Sequence, residues 1–115
     1  LLIRMKSPLT VYATNDKSEK TYYFCPDEPA FYEMVNHNFG RKYQAYYGIE
    51  PMSGVHLEIY GNKFPKKMVT RYKGIIITAW YGTYKLSGER KYLDFLYQTG
   101  LGAKNAQGFG MFEIL

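Results

Sequence analysis

The residues best suited to chemistry lie near the end of the chain, in a loop that contains four glycines. Two glycine-apolar-glycine triplets flank a short polar stretch that carries a cation and two side-chain amides. Glycine adopts positive φ readily and lets a backbone come close to another molecule. Backbone amides and one cation in such a loop can hold the phosphates of a nucleic acid. The candidate contacts are Gly100, Gly102, Lys104, Asn105, Gln107, Gly108 and Gly110.

The glycine spacing also has a purely structural explanation. A helix C-cap and a bulge would account for Gly100 and one further glycine, although not for all four. A dinucleotide-binding fingerprint does not fit, because that motif follows a strand and opens a helix. Here the glycines follow a predicted helix and open a predicted strand. Contact with a ligand and simple turn formation both stay open on these residues alone.

The second chemical feature is a basic region. The chain has 15 Lys and Arg against 10 Asp and Glu, a formal charge of +5. Residues 41–73 hold the whole surplus, since their seven cations face two acids, Glu50 and Glu58. A basic patch confined to one region is typical of polyanion binding, and a solvated surface with surplus lysines is the alternative. The cations predicted to lie on an exposed hairpin are Lys63, Lys66, Lys67, Arg71 and Lys73.

Other reactive side chains give weaker signals. His37 has polar neighbours in "VNHNFG" and is predicted to face solvent. His56 alternates with buried strand positions without a partner at ligand spacing, so no metal site is expected. Cys25 precedes a proline and is predicted to be a small buried group rather than a nucleophile.

Aromatic residues make up 18% of the chain, and several fall on predicted strands. Each is either a core residue or a platform on which an unpaired base could stack. The closely spaced aromatics of an RNA-recognition-motif sheet are not present. The strand aromatics are Tyr22, Tyr23, Tyr60, Tyr72, Trp80, Tyr81 and Tyr84.

Hydrophobic periodicity predicts the elements that position these residues. Two β-rich segments before residue 26 suggest a hairpin, and a long amphipathic helix follows, capped by Asp27 and ending at Gly48. Its apolar face is predicted to be Phe31, Met34, Val35, Phe39, Tyr43 and Tyr46.

The second half predicts a strand over 55–60, a basic hairpin, a long central strand "GIIITAWYGTYKL", a helix ending at Gly100, and a terminal strand. The order of elements is βαββαβ. It predicts an α+β, ferredoxin-like antiparallel sheet with both helices on one face.

Length and composition narrow the class of protein further. A chain of 115 residues predicts one domain, and its longest apolar run, residues 75–81, is too short to span a membrane. Charges at Arg4 and Lys6 argue against a signal peptide, and a single cysteine favours a reducing cytoplasm. Because the first residue is not methionine, we expect the sequence to be a segment of a longer protein.

The glycine loop carries a family resemblance. Gly100-Leu101-Gly102, five residues and Gly108-Phe109-Gly110, placed between a helix and a C-terminal strand, resemble the loop of the repeat-associated RNA-binding (RAMP) superfamily of CRISPR proteins. More narrowly, the chain resembles the C-terminal half of the repeat-cleaving endoribonucleases, the sixth Cas family. The segments "SPLTVYA", "RKYQAYYG" and "YKGIIITAWYGTYKLSG" resemble that family as well, so the resemblance covers most of the chain.

The resemblance implies a function in antiviral defence. Such enzymes are two tandem ferredoxin-like domains that bind precursor CRISPR RNA and cut its repeats without a metal ion or other cofactor. A ribose 2′-hydroxyl attacks the adjacent phosphate, helped by general acid-base groups that usually lie in the N-terminal domain. This chain would then be the C-terminal domain, which binds the RNA without cutting it. Its sequence does not identify the catalytic residues, which are expected in the N-terminal domain. Other Cas proteins and further copies of the chain are possible partners; a membrane is not.

Two alternatives stay open. The chain could belong to a non-catalytic RAMP scaffold subunit of a CRISPR effector complex. It could also be a ferredoxin-like module that binds a small ligand or a protein, with the glycines merely shaping a turn.

Overall fold

The computed structural model describes residues 1–15, 17–18 and 20–115. Three strands precede the first helix, four separate it from the second, and a short turn of 3-10 helix, Asn105–Gln107, lies inside the glycine loop before the last strand. The elements are β1 (Leu2–Met5), β2 (Tyr12–Asn15), β3 (Lys20–Tyr23), α1 (Pro29–Tyr47), β4 (His56–Ile59), β5 (Lys67–Tyr72), β6 (Ile75–Trp80), β7 (Thr83–Ser87), α2 (Arg90–Thr99) and β8 (Phe112–Ile114).

The main sheet has four strands in the order β4-β7-β1-β8, and every pairing is antiparallel. Together with α1 and α2, these strands form the βαββαβ unit, so the ferredoxin-like prediction is confirmed. Two hairpins are inserted into it: β2–β3 follows β1, and β5–β6 separates β4 from β7. Lys67, Arg71 and Lys73 of the basic run therefore lie on a hairpin, as predicted, whereas Lys63 and Lys66 precede its first strand.

One hydrophobic core joins the sheet to the two helices. Alternate strand residues point toward the helices, while charged residues such as Arg4 and Glu113 occupy the opposite face, where they form an ion pair of 2.6 Å. Burying each large apolar side chain contributes about 1.5–3 kcal/mol. The core includes Ile3, Met5, Leu57, Tyr84, Leu86 and Phe112 from the sheet, with Phe31, Val35, Phe39, Tyr92, Leu93 and Leu96 from the helices.

Helix α1 ends where its sequence predicted and begins one residue later than expected. Gly48 takes the left-handed conformation (φ 74°) and its amide donates to the Gln44 carbonyl, as a C-cap requires. The N-cap is Glu28 rather than Asp27, and its side chain accepts a hydrogen bond from the Cys25 amide at 2.7 Å instead of capping a helix amide. The prediction that Tyr46 belongs to the apolar face is wrong, since its side chain is exposed.

The long strand predicted over residues 74–86 is two strands. Gly82 (φ 140°) interrupts it, so β6 pairs with β5 outside the main sheet while β7 takes the central position beside β1. A Cβ at Gly82 would lie 3.1 Å from both Pro65 and Tyr84, so a side chain at this corner would require these neighbours to shift. The break lets the basic hairpin leave the sheet.

No helix in the described ranges is both long and apolar enough to cross a bilayer.

Candidate nucleic-acid interface

The glycine loop between α2 and β8 is tightly folded. Gly102 has φ 70°, and a Cβ there would lie 2.6 Å from the Thr10 carbonyl oxygen and from a methyl group of Leu9. At Gly110 (φ 84°) a Cβ would collide with the Leu101 carbonyl. Both conformations are costly for any residue with a side chain. These glycines, like Gly100, are buried, whereas Gly108 is exposed with open space around it.

Lys42 on α1 holds the loop in this shape. Its ammonium group donates to the carbonyl oxygens of Gly100 (2.7 Å) and Gly102 (3.2 Å) and to Oδ1 of Asn105 (2.6 Å). Burial lowers the pKa of Lys42 from 10.5 to about 8, because the charged form loses its hydration. A single ammonium group thus links Gly100, Gly102 and Asn105, three residues in the first half of the loop.

The Asn105 side chain points into the loop rather than out of it. Its Nδ2 donates to the carbonyls of Leu101 (3.2 Å) and Phe109 (3.0 Å), while its Oδ1 accepts from Lys42. The predicted contact of Asn105 with a phosphate stays a prediction, but in this conformation the side chain is occupied with shaping the loop.

Most of the loop amides also donate within the chain. The Ala103 amide binds the Thr10 carbonyl at 2.9 Å, the Leu101 and Gly110 amides bind the carbonyls of Gly110 and Pro8 at 2.9 Å, and the Gly108 amide binds that of Asn105. The parts of the loop that remain accessible are the exposed residues 106–108 and the half-buried Lys104. Lys104 has φ 60° and places its Nζ 4.9 Å from the centre of the Tyr12 ring.

The basic hairpin packs directly on the glycine loop. Phe109 forms a small buried cluster with Ile77 and Ala79 of β6, against which Met68 of β5 also packs. The apolar side chain inside the second glycine triplet therefore anchors the loop to the hairpin. The basic hairpin and the glycine loop, which are separate segments of the sequence, therefore form one continuous surface.

A groove of about 240 Å³ runs between the hairpin and the loop. Its hairpin wall is formed by Met68, Thr70, Arg71 and Tyr72, and its loop wall by Gln107, Gly108 and Phe109, with Pro8 between them. Below, it is called the hairpin-loop groove. The predicted contacts Arg71, Gln107 and Gly108 meet here.

The remaining predicted cations lie on the same hairpin or leading to it. Lys63, Lys66, Lys67 and Lys73 are all exposed. Lys66 and Lys67 lie at the base of the hairpin, and Lys73 lies at its tip with φ 50°. These residues are spread along the hairpin and the segment before it, and none of them lines the groove.

The weaker candidates differ in their exposure to solvent. His37 is exposed, as predicted, and His56 is exposed with Glu58 at 3.9 Å. Cys25 is half-buried rather than buried, and desolvation raises the pKa of its thiol, which makes it a poorer nucleophile. Among the aromatics, Tyr84 and Trp80 belong to the core, whereas Tyr22, Tyr60 and Tyr72 are exposed.

Sequence reasoning missed Lys42 and Phe109 as determinants of the site. Lys42 was counted only as part of a charge run, and Phe109 only as the apolar residue of a triplet. The one signal that could have singled out Phe109 is its place between two glycines, where a large side chain needs a pocket of its own.

Comparisons with known proteins agree on one family. The family model described as "CRISPR associated protein Cas6, C-terminal" matches residues 1–114. The CRISPR-associated endoribonuclease Cas6 of Pyrococcus furiosus is 33% identical over 108 residues, which are 94% of this chain and 39% of that protein. The CRISPR-associated endoribonuclease Cas6 1 of Methanocaldococcus jannaschii is 30% identical over 113 residues, 96% of this chain and 43% of that protein.

A solved structure described as "CRISPR associated protein Cas6" superposes with a TM-score of 0.83 at 27% identity. It is matched over 99% of this chain and 48% of its own length. The chain spans about two fifths of the length of the two curated relatives.

Proposed function

The chain belongs to the family of Cas6 C-terminal domains, and from this premise we propose that it binds CRISPR repeat RNA along the hairpin-loop groove. The observation that carries the proposal is the groove itself. Its walls come from the only two segments that the sequence singled out for phosphate binding, and Phe109 fixes one segment on the other.

The chemistry of the groove suits an RNA strand. Arg71, a cation, lines one wall, and Gln107, which carries a side-chain amide, lines the other. The exposed Tyr72 ring offers a face for base stacking, worth about 1–3 kcal/mol per base. The exposed lysines around the hairpin add attraction to phosphates that is independent of sequence.

Within the whole protein, this chain contributes binding to a repeat-processing endoribonuclease. The curated relatives are named CRISPR-associated endoribonucleases, and the chain matches about two fifths of each. We place the cleavage groups, including any histidine that activates the ribose hydroxyl, outside these 115 residues. Cleavage without a metal, cytoplasmic location and contact with other Cas proteins belong to the same proposal.

The test is the salt dependence of RNA affinity. Fluorescence anisotropy with repeat RNA from the source genome would give the slope of log K against log salt concentration. Replacing Lys66 and Lys67 together by alanine should weaken binding and reduce that slope by about 2, one for each lost phosphate contact. A slope near zero for the wild-type chain would refute the proposal, as would unchanged binding by the double variant.

A matched control removes the same charge elsewhere. Arg90 and Lys91 begin α2, beyond the end of β7 that is remote from the hairpin. Replacing both by alanine should leave affinity and slope close to those of the wild type. If this variant loses as much affinity as the hairpin variant, the effect reflects net charge rather than the hairpin.

The division between binding and cleavage has its own test. Incubation of the isolated 115-residue chain with repeat RNA should give a shifted complex without shortened products on a denaturing gel. If a preparation free of contaminating nucleases generates cleavage products, the assignment of the catalytic groups to another part of the protein is contradicted.

A further inference from the structure

Lys104 stands at a backbone position of the glycine loop that suits glycine better than lysine. Its φ is 60°, in the left-handed region where a residue with a side chain is strained. The other loop residues with positive φ are all glycines, namely Gly100, Gly102, Gly108 and Gly110. Because glycine would relieve the strain at position 104, the presence of lysine there indicates a role for its side chain.

The fold holds the main chain of Lys104 in place. Its carbonyl oxygen accepts hydrogen bonds from the amides of Gln107 (3.1 Å) and Phe109 (3.3 Å), and the residue is the N-cap of the 3-10 turn. The point from which the side chain leaves the loop is therefore fixed. What the ammonium group can reach depends on the direction of the side chain alone.

The ammonium group of Lys104 lies 4.9 Å from the centre of the Tyr12 ring, within the range of a cation–π interaction. Two further contacts of this kind are found among residues 1–15, 17–18 and 20–115, and each joins residues that are adjacent in the sequence. The contact of Lys104 differs, because the fold brings its two segments together. A ring on one side of the ammonium leaves hydrogen-bond donors available to an anion on the other side.

The Tyr12 ring is itself held by its neighbours. Tyr12 and Tyr23 are opposite each other in the β2–β3 hairpin, with ring centres 5.6 Å apart and planes tilted by 51°. Tyr23 in turn packs against the buried cluster that contains Phe109 and joins the glycine loop to the basic hairpin. Contacts thus run from that cluster through the two tyrosines to Lys104.

We propose that Tyr12 is a positioning residue for RNA binding, whose ring holds the Lys104 ammonium beside the glycine loop in position for one phosphate of the strand. This inference rests on the proposed RNA-binding function and assigns a role in it to Tyr12 and the β2–β3 hairpin. A lysine side chain loses rotamer freedom when it binds a ligand, and a ring that already holds the ammonium lowers that cost. Base stacking on Tyr12 is the alternative, but Lys104 and Tyr23 already contact the ring.

The test replaces the Tyr12 ring in the 115-residue chain and measures binding of repeat RNA by fluorescence anisotropy. Tyr12→Leu should raise the dissociation constant about 2- to 10-fold, because the Lys104 side chain is then ordered only on binding. Tyr12→Phe keeps the ring face and should bind as the wild type does. Melting temperatures are measured in parallel, and Tyr12→Val, which suits a strand, repeats the measurement if leucine destabilises β2.

A double-mutant cycle shows whether Tyr12 acts through Lys104. Lys104→Met should weaken binding and reduce the slope of log K against log salt concentration by about 1, for one lost phosphate contact. In that background Tyr12→Leu should cause no further loss, because the ring has no ammonium to hold. Tyr46→Leu is the matched control: it removes an exposed tyrosine from α1 and should leave the affinity unchanged.

Three results would overturn the proposal. The first is wild-type affinity in a folded Tyr12→Leu or Tyr12→Val variant, and the second is wild-type affinity and salt slope in Lys104→Met. The third is an equal loss from Tyr12→Leu with and without Lys104, which would show that the ring stacks a base or supports the fold independently of the lysine. If Lys66→Ala with Lys67→Ala still weakens binding in these cases, the proposed function survives without the role of Tyr12. If the wild-type chain shows no salt-dependent RNA binding, both proposals fail.

Discussion

At the residue scale, the glycine loop depends on Lys42, a half-buried cation that donates hydrogen bonds to uncharged acceptors. The three groups that accept hydrogen bonds from Lys42 are uncharged oxygens of Gly100, Gly102 and Asn105. A cation in this setting loses hydration energy and regains part of it from oriented carbonyl dipoles. Lys42 is therefore a positioning residue: it shapes the loop without facing the groove.

Replacing Lys42 by methionine should destabilise the chain near neutral pH. Methionine keeps the apolar stem but leaves three acceptors without their donor, so we expect the free energy of unfolding to fall by about 1–3 kcal/mol. Denaturant titration measures this change in the free energy of unfolding. Lys42→Arg, which keeps the charge and the hydrogen-bond donors, is the matched control, and its free energy of unfolding should fall by less. Equal stability of the methionine variant and the wild type would show that the hydrogen bonds to the loop are not needed.

The pH dependence of stability provides a second test of Lys42. Its folded-state pKa, about 8, lies below the ordinary 10.5, so between these values the unfolded chain binds more protons than the folded chain. Stability contributed by this group therefore rises with pH across that window and is constant below it. The wild type should gain up to about 3 kcal/mol relative to Lys42→Met from pH 8 to pH 10.5. Parallel curves for the two proteins would contradict the lowered pKa.

Two glycines of the loop form a matched pair for mutation. A Cβ at Gly110 would collide with the Leu101 carbonyl, whereas a Cβ at Gly108 would meet nothing within 4 Å. Gly110→Ala should therefore cost about 3 kcal/mol or more through overpacking and strain, and Gly108→Ala about 1–2 kcal/mol through its positive φ alone. Thermal unfolding of the two variants compares their losses of stability. If the two losses are equal, the structure around Gly110 accommodates the added methyl group at little cost.

At the scale of elements, the basic hairpin owes its shape to a two-residue turn. Lys73 (φ 50°) and Gly74 (φ 80°) both take positive φ between the paired residues Tyr72 and Ile75, as a type I′ turn requires. Asparagine suits the first turn position better than lysine does. The chain instead keeps an exposed lysine at the tip of the hairpin, with its Nζ 5.5 Å from the centre of the Tyr72 ring.

Replacing Lys73 by asparagine should separate stability from RNA binding. We expect equal or slightly higher thermal stability, because Asn-Gly favours this turn, and a salt slope of RNA binding reduced by about 1. Lys85→Gln removes an exposed charge from the sheet and should leave the slope unchanged. An unchanged slope for Lys73→Asn would exclude the hairpin tip from the contacts with phosphate.

The elements were predictable where local patterns decide them. Alternation in β4, the helical spacing of Phe31, Val35 and Phe39, and the stop at Gly48 all gave correct elements in the correct order. The break at Gly82 was not predictable, because it depends on close contact with Pro65 and Tyr84. The Lys42 contacts were missed for the same reason: they join residues 58 to 63 positions apart in the sequence.

At the scale of the whole molecule, the ferredoxin-like unit is a platform and its insertions carry the site. The helices cover one face of the sheet, and the opposite face carries mixed charges such as Arg4 and Glu113, which pair with each other. The basic hairpin and the glycine loop meet beside the sheet rather than on it. RNA bound in the hairpin-loop groove would thus leave the open face of the sheet free.

Photo-cross-linking is the most direct test of where RNA lies. Repeat RNA that carries 4-thiouridine would be bound to the 115-residue chain and irradiated, and the modified peptides would be identified by mass spectrometry. Our account predicts adducts at residues 68–72 of the hairpin and 107–109 of the loop. Adducts confined to the open sheet face, around Arg4, Lys85 and Glu113, with none in the groove, would contradict it.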